Sequence, residues 1–186
     1  TSAFFISTTI LQAAIIYVDP SAAGANNGTS WVNAYTSLSA ALAAASNGDE
    51  IWVKQGVYKP STIVDINGSG GTDAREATFQ IPSGVALYGG FNGTEISRNE
   101  RNWVVNKTIL SGDIDNNDIN ADANFIAEST TDIAGNNAYH VIYTLNVSAS
   151  TRVDGFIITA GKANGGPATT DANRDGGAWY NRMNGG

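Results

Sequence analysis

The chain has 186 residues with ten Lys and Arg against seventeen Asp and Glu, a formal charge of −7, and no Cys. That length allows one domain with a real core, and the missing Cys excludes a disulfide framework and Cys-ligated zinc. The acidic balance, with no basic stripe, speaks against nucleic acid and against an anionic membrane surface as partners.

At the start, Ala3-Phe4-Phe5-Ile6, Ile10-Leu11 and Ala13-Ala14 make an apolar segment ending in small residues. Residues 1–14 are read as a unit of their own. They are either the remnant of a secretory signal, without its initiator Met and basic start, or a retained strand. The segment is too short, and too broken by Ser7-Thr8-Thr9, to span a membrane. Residues 15–186 are read as one β domain, open or continuing at its C-terminal end.

The apolar run 15–18 predicts a first strand, stopped by Asp19-Pro20. After a Gly- and Asn-rich loop, Leu38, Ala41, Leu42 and Ala45 recur at helical spacing. Thr36 or Ser37 is the candidate N-cap, and Asn47-Gly48 the candidate C-cap. Strands are expected next at 50–53 and 57–58, around Gln55-Gly56, and at 78–81 and 85–88, around Pro82-Ser83-Gly84. Further apolar cores lie at Thr108-Ile109-Leu110, Val141-Ile142-Tyr143, Phe156-Ile157-Ile158 and Ala178-Trp179-Tyr180. These cores are near-continuous rather than alternating, as in strands paired in parallel and covered on both faces. Their recurrence, with Gly/Asn/Asp-rich excursions between, points to a parallel β-solenoid; an antiparallel sandwich is the alternative.

Several motifs occur in an order that carries a resemblance. They begin with Ile16-Tyr17-Val18-Asp19, Gly24-Ala25-Asn26-Asn27-Gly28-Thr29-Ser30-Trp31 and Gly48-Asp49-Glu50-Ile51-Trp52-Val53. Gly89-Gly90-Phe91-Asn92-Gly93-Thr94-Glu95, Thr108-Ile109-Leu110-Ser111-Gly112-Asp113 and Val153-Asp154-Gly155-Phe156-Ile157-Ile158 follow. The chain resembles secreted bacterial right-handed parallel β-helix proteins of the pectin-lyase-like superfamily, related to polymorphic outer-membrane repeat proteins of Bacteroidetes-like bacteria. The resemblance implies an all-β, right-handed parallel β-helix with the Ala-rich helix capping its N-terminal end. It also implies secretion or display at the cell surface, and leaves activity open.

Chemistry is sparse. Asp113, Asp115, Asn117 and Asp122 place oxygen ligands along an Asp/Asn-rich loop, a candidate calcium site. It is not an EF-hand loop, because Asp118 stands where the sharp-turn Gly belongs and Asn124 where the bidentate Glu belongs. Arg152 with Asp154, and Asp171 with Arg174 and Asp175, form two further charged groups. None matches the paired-Asp, His-Gly or Arg-x-Lys patterns associated with pectin-degrading relatives, so no catalytic residue is assigned. The single His140 reads as an ordinary strand histidine. Trp31, Tyr35, Trp52, Trp103, Trp179 and Tyr180 could form a sugar platform, but Trp52 and Trp179 belong to strand cores and packing is their default role.

The leading expectation is therefore a non-enzymatic surface protein, structural or adhesive, self-associating or forming filaments by end-to-end stacking. The apolar N-terminal segment would serve as a strand donated to a neighbour. A polysaccharide lyase or hydrolase, or a module binding a cell-surface glycan, is the alternative.

Overall fold

The computed structural model describes residues 13–68, 70–166 and 172–183. In chain order the elements are β1 (Ile15–Val18), α1 (Leu38–Ala44), β2 (Glu50–Lys54), β3 (Gly56–Tyr58), β4 (Phe79–Gln80) and β5 (Ala86–Phe91). They continue with β6 (Thr108–Ser111), β7 (Ile142–Leu145), β8 (Arg152–Asp154), β9 (Phe156–Thr159) and β10 (Trp179–Arg182).

The strands form three sheets, ordered β1-β2-β5-β8, β3-β6-β9 and β10-β7-β4. Every strand pair is parallel. Parallel pairing follows from the apolar runs: Ile51, Trp52 and Val53 are all buried, so β2 has no face left for water. In the second sheet the register aligns Val57 with Ile109 and Ile109 with Ile157.

The right-handed parallel β-helix expected from the sequence is corrected here. Among the described residues the fold is of α/β type, with ten strands in three separate parallel sheets and one α-helix, and no sheet closes or coils on itself. The apolar cores do form strands, but not the turns of one continuous coil. Instead each ladder pairs only within its own sheet, and long irregular stretches at 59–78, 92–107 and 112–141 separate them. The adhesive and filament roles, and secretion as part of the same picture, leaned on that solenoid and gain no support from this fold. Among the described residues no helix is long and apolar enough to cross a membrane. Residues 1–12, with the signal or donated-strand reading, and 184–186 lie outside the described residues.

Helix α1 starts at the expected Ser37, whose side chain accepts from the Ala40 N–H. It ends at Ala44 rather than reaching Asn47-Gly48, and the reason lies in Asp49. The Asp49 carboxylate accepts the Ser46 N–H at 2.9 Å and the Ala14 N–H at 2.8 Å, pulling the chain out of the helix early. Leu38, Ala41 and Leu42 are buried in the main core with Val18, Phe79, Val85, Leu110 and Ile142. A second, smaller cluster of Trp52, Tyr88 and Phe91 lies against Tyr17 and Trp31. The Trp52 and Phe91 rings stack at 4.8 Å and 11°. Trp52 is thus a packing residue, as its default reading holds, whereas Trp179, expected in a strand core, is 40 % exposed.

Candidate functional site

The parallel register of β3 and β6 sets Tyr58 beside Leu110, so Lys59 leaves its strand next to the start of loop 112–141. Its Nζ lies 2.7 Å from Asp113 Oδ2 and 2.7 Å from Asn116 Oδ1. Asp113 Oδ1 accepts the Asn117 N–H at 3.0 Å. Burial by itself would raise the Asp113 pKa. The Lys59 hydrogen bond, the Asn117 N–H, the Lys59 charge and the Asp118 N–H outweigh it and hold the carboxyl below its ordinary value.

The other acidic residues are turned toward their own loop. Asp115 Oδ2 accepts from Asn117 Nδ2 at 2.9 Å and from the Asn136 N–H at 2.8 Å. Asp118 accepts the Ala134 N–H at 2.7 Å and Asn137 Nδ2 at 2.8 Å. Asp122 accepts from Asn124, at 2.6 Å from Nδ2. Of the candidate calcium ligands, then, Asp115 and Asn117 meet directly, Asp113 faces an ammonium, and Asp122 pairs elsewhere. Asn117 presents its donor nitrogen, not its oxygen, to Asp115. Among the described residues no group of three or more His, Cys, Asp or Glu side chains is placed to hold a metal ion together. Asp115 and Asp118 use their carboxylates to knit this stretch to 134–137.

The second charged group divides in the same way. Asp154 pairs not with Arg152 but with Arg101, whose Nη2 lies 2.6 Å from its Oδ1. Arg101 Nη1 also donates to the Gly89 carbonyl at 3.2 Å, and the guanidinium lies 5.0 Å from the centres of the Tyr88 and Trp103 rings. Lys54–Asp19 at 2.8 Å and Arg98–Glu50 at 2.5 Å fasten two more loops. In the third group, Asp171 lies outside the described residues.

Two residues to which the sequence assigns no role of their own, Glu95 and Arg75, do comparable work. The buried Glu95 carboxylate accepts the N–H groups of Asn92, Gly93 and Thr94 at 2.6 to 3.0 Å, closing its turn. Arg75 lies over the Tyr139 ring at 4.0 Å and donates to the carbonyls of Asn137 and Lys162 at 2.7 and 2.8 Å. The Asn92-Gly93-Thr94-Glu95 spacing was a legible signal for the first; Arg75 had none.

His140 is 1 % exposed, stacks on Tyr180 at 4.9 Å, and lies 3.1 Å from the Gly176 carbonyl through Nδ1. Burial lowers its pKa below the ordinary 6.5, against opposing hydrogen bonds from the Gly176 and Ala172 backbone, the Asp175 charge and Asn173. A buried base with a lowered pKa contributes fully to stability above the unfolded-state value. The contribution is lost as pH falls from there toward the folded-state pKa, because the unfolded chain takes up the proton first. Urea unfolding followed from about pH 7.5 to 5 is therefore expected to show stability declining by up to about 1.4 kcal/mol per pH unit, with His140→Gln flattening the slope.

One hydrophobic side chain stands apart from this network. Phe125 is 56 % exposed and has a left-handed backbone at φ 63°, with its N–H bonded to Asn120 Oδ1 at 2.9 Å. Together with Val105 it borders a groove of about 380 Å³ on the outer face of β3 and β6. No family model, curated protein or solved structure matches this chain.

Proposed function

We propose that the protein is a non-enzymatic structural module that associates with a second copy through the adjoining edges of β8 and β9. The observation that carries this is the position of those two strands. Among the described residues β8 ends one sheet and β9 ends another, and only Gly155 separates them in the chain. Val153, Phe156 and Ile158 reach the main core yet stay half-exposed, and β9 carries no charged residue to discourage pairing. A cleft of about 300 Å³ lies against Ile158 and Thr159, leaving space beside the strand. The non-enzymatic part of the reading is supported by the use of the charges: Lys59–Asp113, Arg101–Asp154, Lys54–Asp19 and Arg98–Glu50 each fasten a loop or strand end.

The test is molar mass by light scattering across a dilution series. The native chain is expected to shift from dimer to monomer on dilution. Ile157→Lys leaves the core untouched, since Ile157 faces away from Phe156 and Ile158, and is expected to weaken association by about tenfold or more. A native chain that is monomeric at every concentration contradicts the reading. So does turnover of neutral or acidic polysaccharides, read as unsaturated products or new reducing ends, that Asp113→Asn or Asp154→Asn abolishes.

A further inference from the structure

The groove beside Phe125 has a composition of its own. Its floor is Val57 and Ile109, aligned neighbours on β3 and β6. Its walls are Val105, 70 % exposed, and Phe125. A chain that merely closed a loop would turn such side chains inward. Here Phe125 is held outward by a backbone conformation that non-Gly residues adopt at a cost, and Ala123 two residues earlier shares it at φ 60°. Three polar side chains complete the lining, Lys107, Gln55 and Asn124; Asn124 spends its amide on Asp122, Glu128 and the Ile126 N–H, whereas Lys107 and Gln55 make no side-chain hydrogen bond or ion pair among the described residues. The Gly56 N–H donates to the Lys107 carbonyl at 3.0 Å, so the two residues are anchored on adjacent strands.

We propose that this groove binds a small aromatic carboxylate. Its size falls within the range of small-ligand sites, and its lining is mostly apolar with a few polar groups. The aromatic ring would lie between Phe125 and Val105 over Val57, where burial of apolar surface and ring contact both favour it. The carboxylate would meet the Lys107 ammonium, a free cation in a chain of net charge −7, with the Gln55 amide as a second donor. A neutral sugar fits less well, because its hydroxyls would face five apolar side chains and three polar ones, of which Asn124 is already bonded within its loop.

The proposal is independent of self-association and is tested on dilute protein by amide chemical shifts. Phenylacetate, phenylacetamide and cellobiose serve as probes. Phenylacetate is expected to move the Val105, Lys107 and Phe125 signals with a dissociation constant of about a millimolar, as suits so small a ligand. Phenylacetamide should bind at least about tenfold more weakly, and Lys107→Met should erase that preference. Phe125→Ala should weaken phenylacetate by about tenfold, with Phe125→Leu recovering part of the loss and unchanged shifts elsewhere certifying the fold. Equal binding of acid and amide, tighter binding of cellobiose, or no shift at these residues overturns the proposal.

Discussion

Phe79→Ala is expected to destabilise the protein by about 3–5 kcal/mol, a large share of the stability of an ordinary domain. Phe79 is 1 % exposed and among the largest fully buried side chains. Its strand, β4, is only two residues long, and its pairing with β7 rests on the Phe79 N–H to the Val141 carbonyl at 2.9 Å and the Ile81 N–H to the Tyr143 carbonyl at 3.0 Å. So short a ladder cannot hold its place without the ring packed in the core. Truncation therefore removes the transfer free energy of a phenyl group and leaves a cavity where a two-residue strand has little means to collapse inward. Urea denaturation of the variant checks this. A loss below about 1 kcal/mol would mean that β4 is held by something other than its side chain.

Gly90→Ala is the second large effect, about 2–4 kcal/mol, from two independent sources. Gly90 sits at φ 92°, which a residue with a Cβ adopts only under strain. A Cβ there would also lie 2.8 Å from the backbone N and Cα of Trp103. That backbone cannot retreat freely, because the Gly90 carbonyl accepts both the Asn102 N–H at 2.8 Å and Asn106 Nδ2 at 3.2 Å. The alternative to destabilisation is displacement of 102–106, which would also disturb Arg101 and its bond to Asp154. Thermal unfolding measures the first outcome and the Trp103 fluorescence the second. An unperturbed Tm together with native fluorescence would show that the turn is looser than its geometry.

Legibility in the sequence followed the range of the interactions. β1 and β2 were visible because Ile15-Ile16-Tyr17-Val18 and Ile51-Trp52-Val53 are dense apolar runs, and α1 because Ser37 and the Ala-rich spacing are local signals. β8 escaped notice because Arg152-Val153-Asp154 has one apolar residue between two charges, and it read as a charged pair rather than a strand. The parallel sense of pairing was implied by burial on both faces. The division into three sheets was not, since which core pairs with which is a non-local choice, such as β2 with β5 and β3 with β6.

The loop site shows the same limit. Asp113, Asp115, Asn117 and Asp122 are four oxygen-bearing residues at short spacing, and spacing alone suggested a cation. The partner that meets Asp113 is Lys59, fifty-four residues earlier and brought there by the sheet register. Nothing in the local sequence announces it. Phe125 was hidden for a related reason: only its backbone conformation and the strands beneath it make it the wall of a groove rather than one more loop residue.

The central claim, that the β8–β9 edge is a working surface, is tested most directly by amide hydrogen exchange at high and low protein concentration. Protection that rises with concentration across residues 153–159, while the β1 and β2 amides keep theirs unchanged, is the predicted result. Exchange at 153–159 that is the same at both concentrations would contradict it.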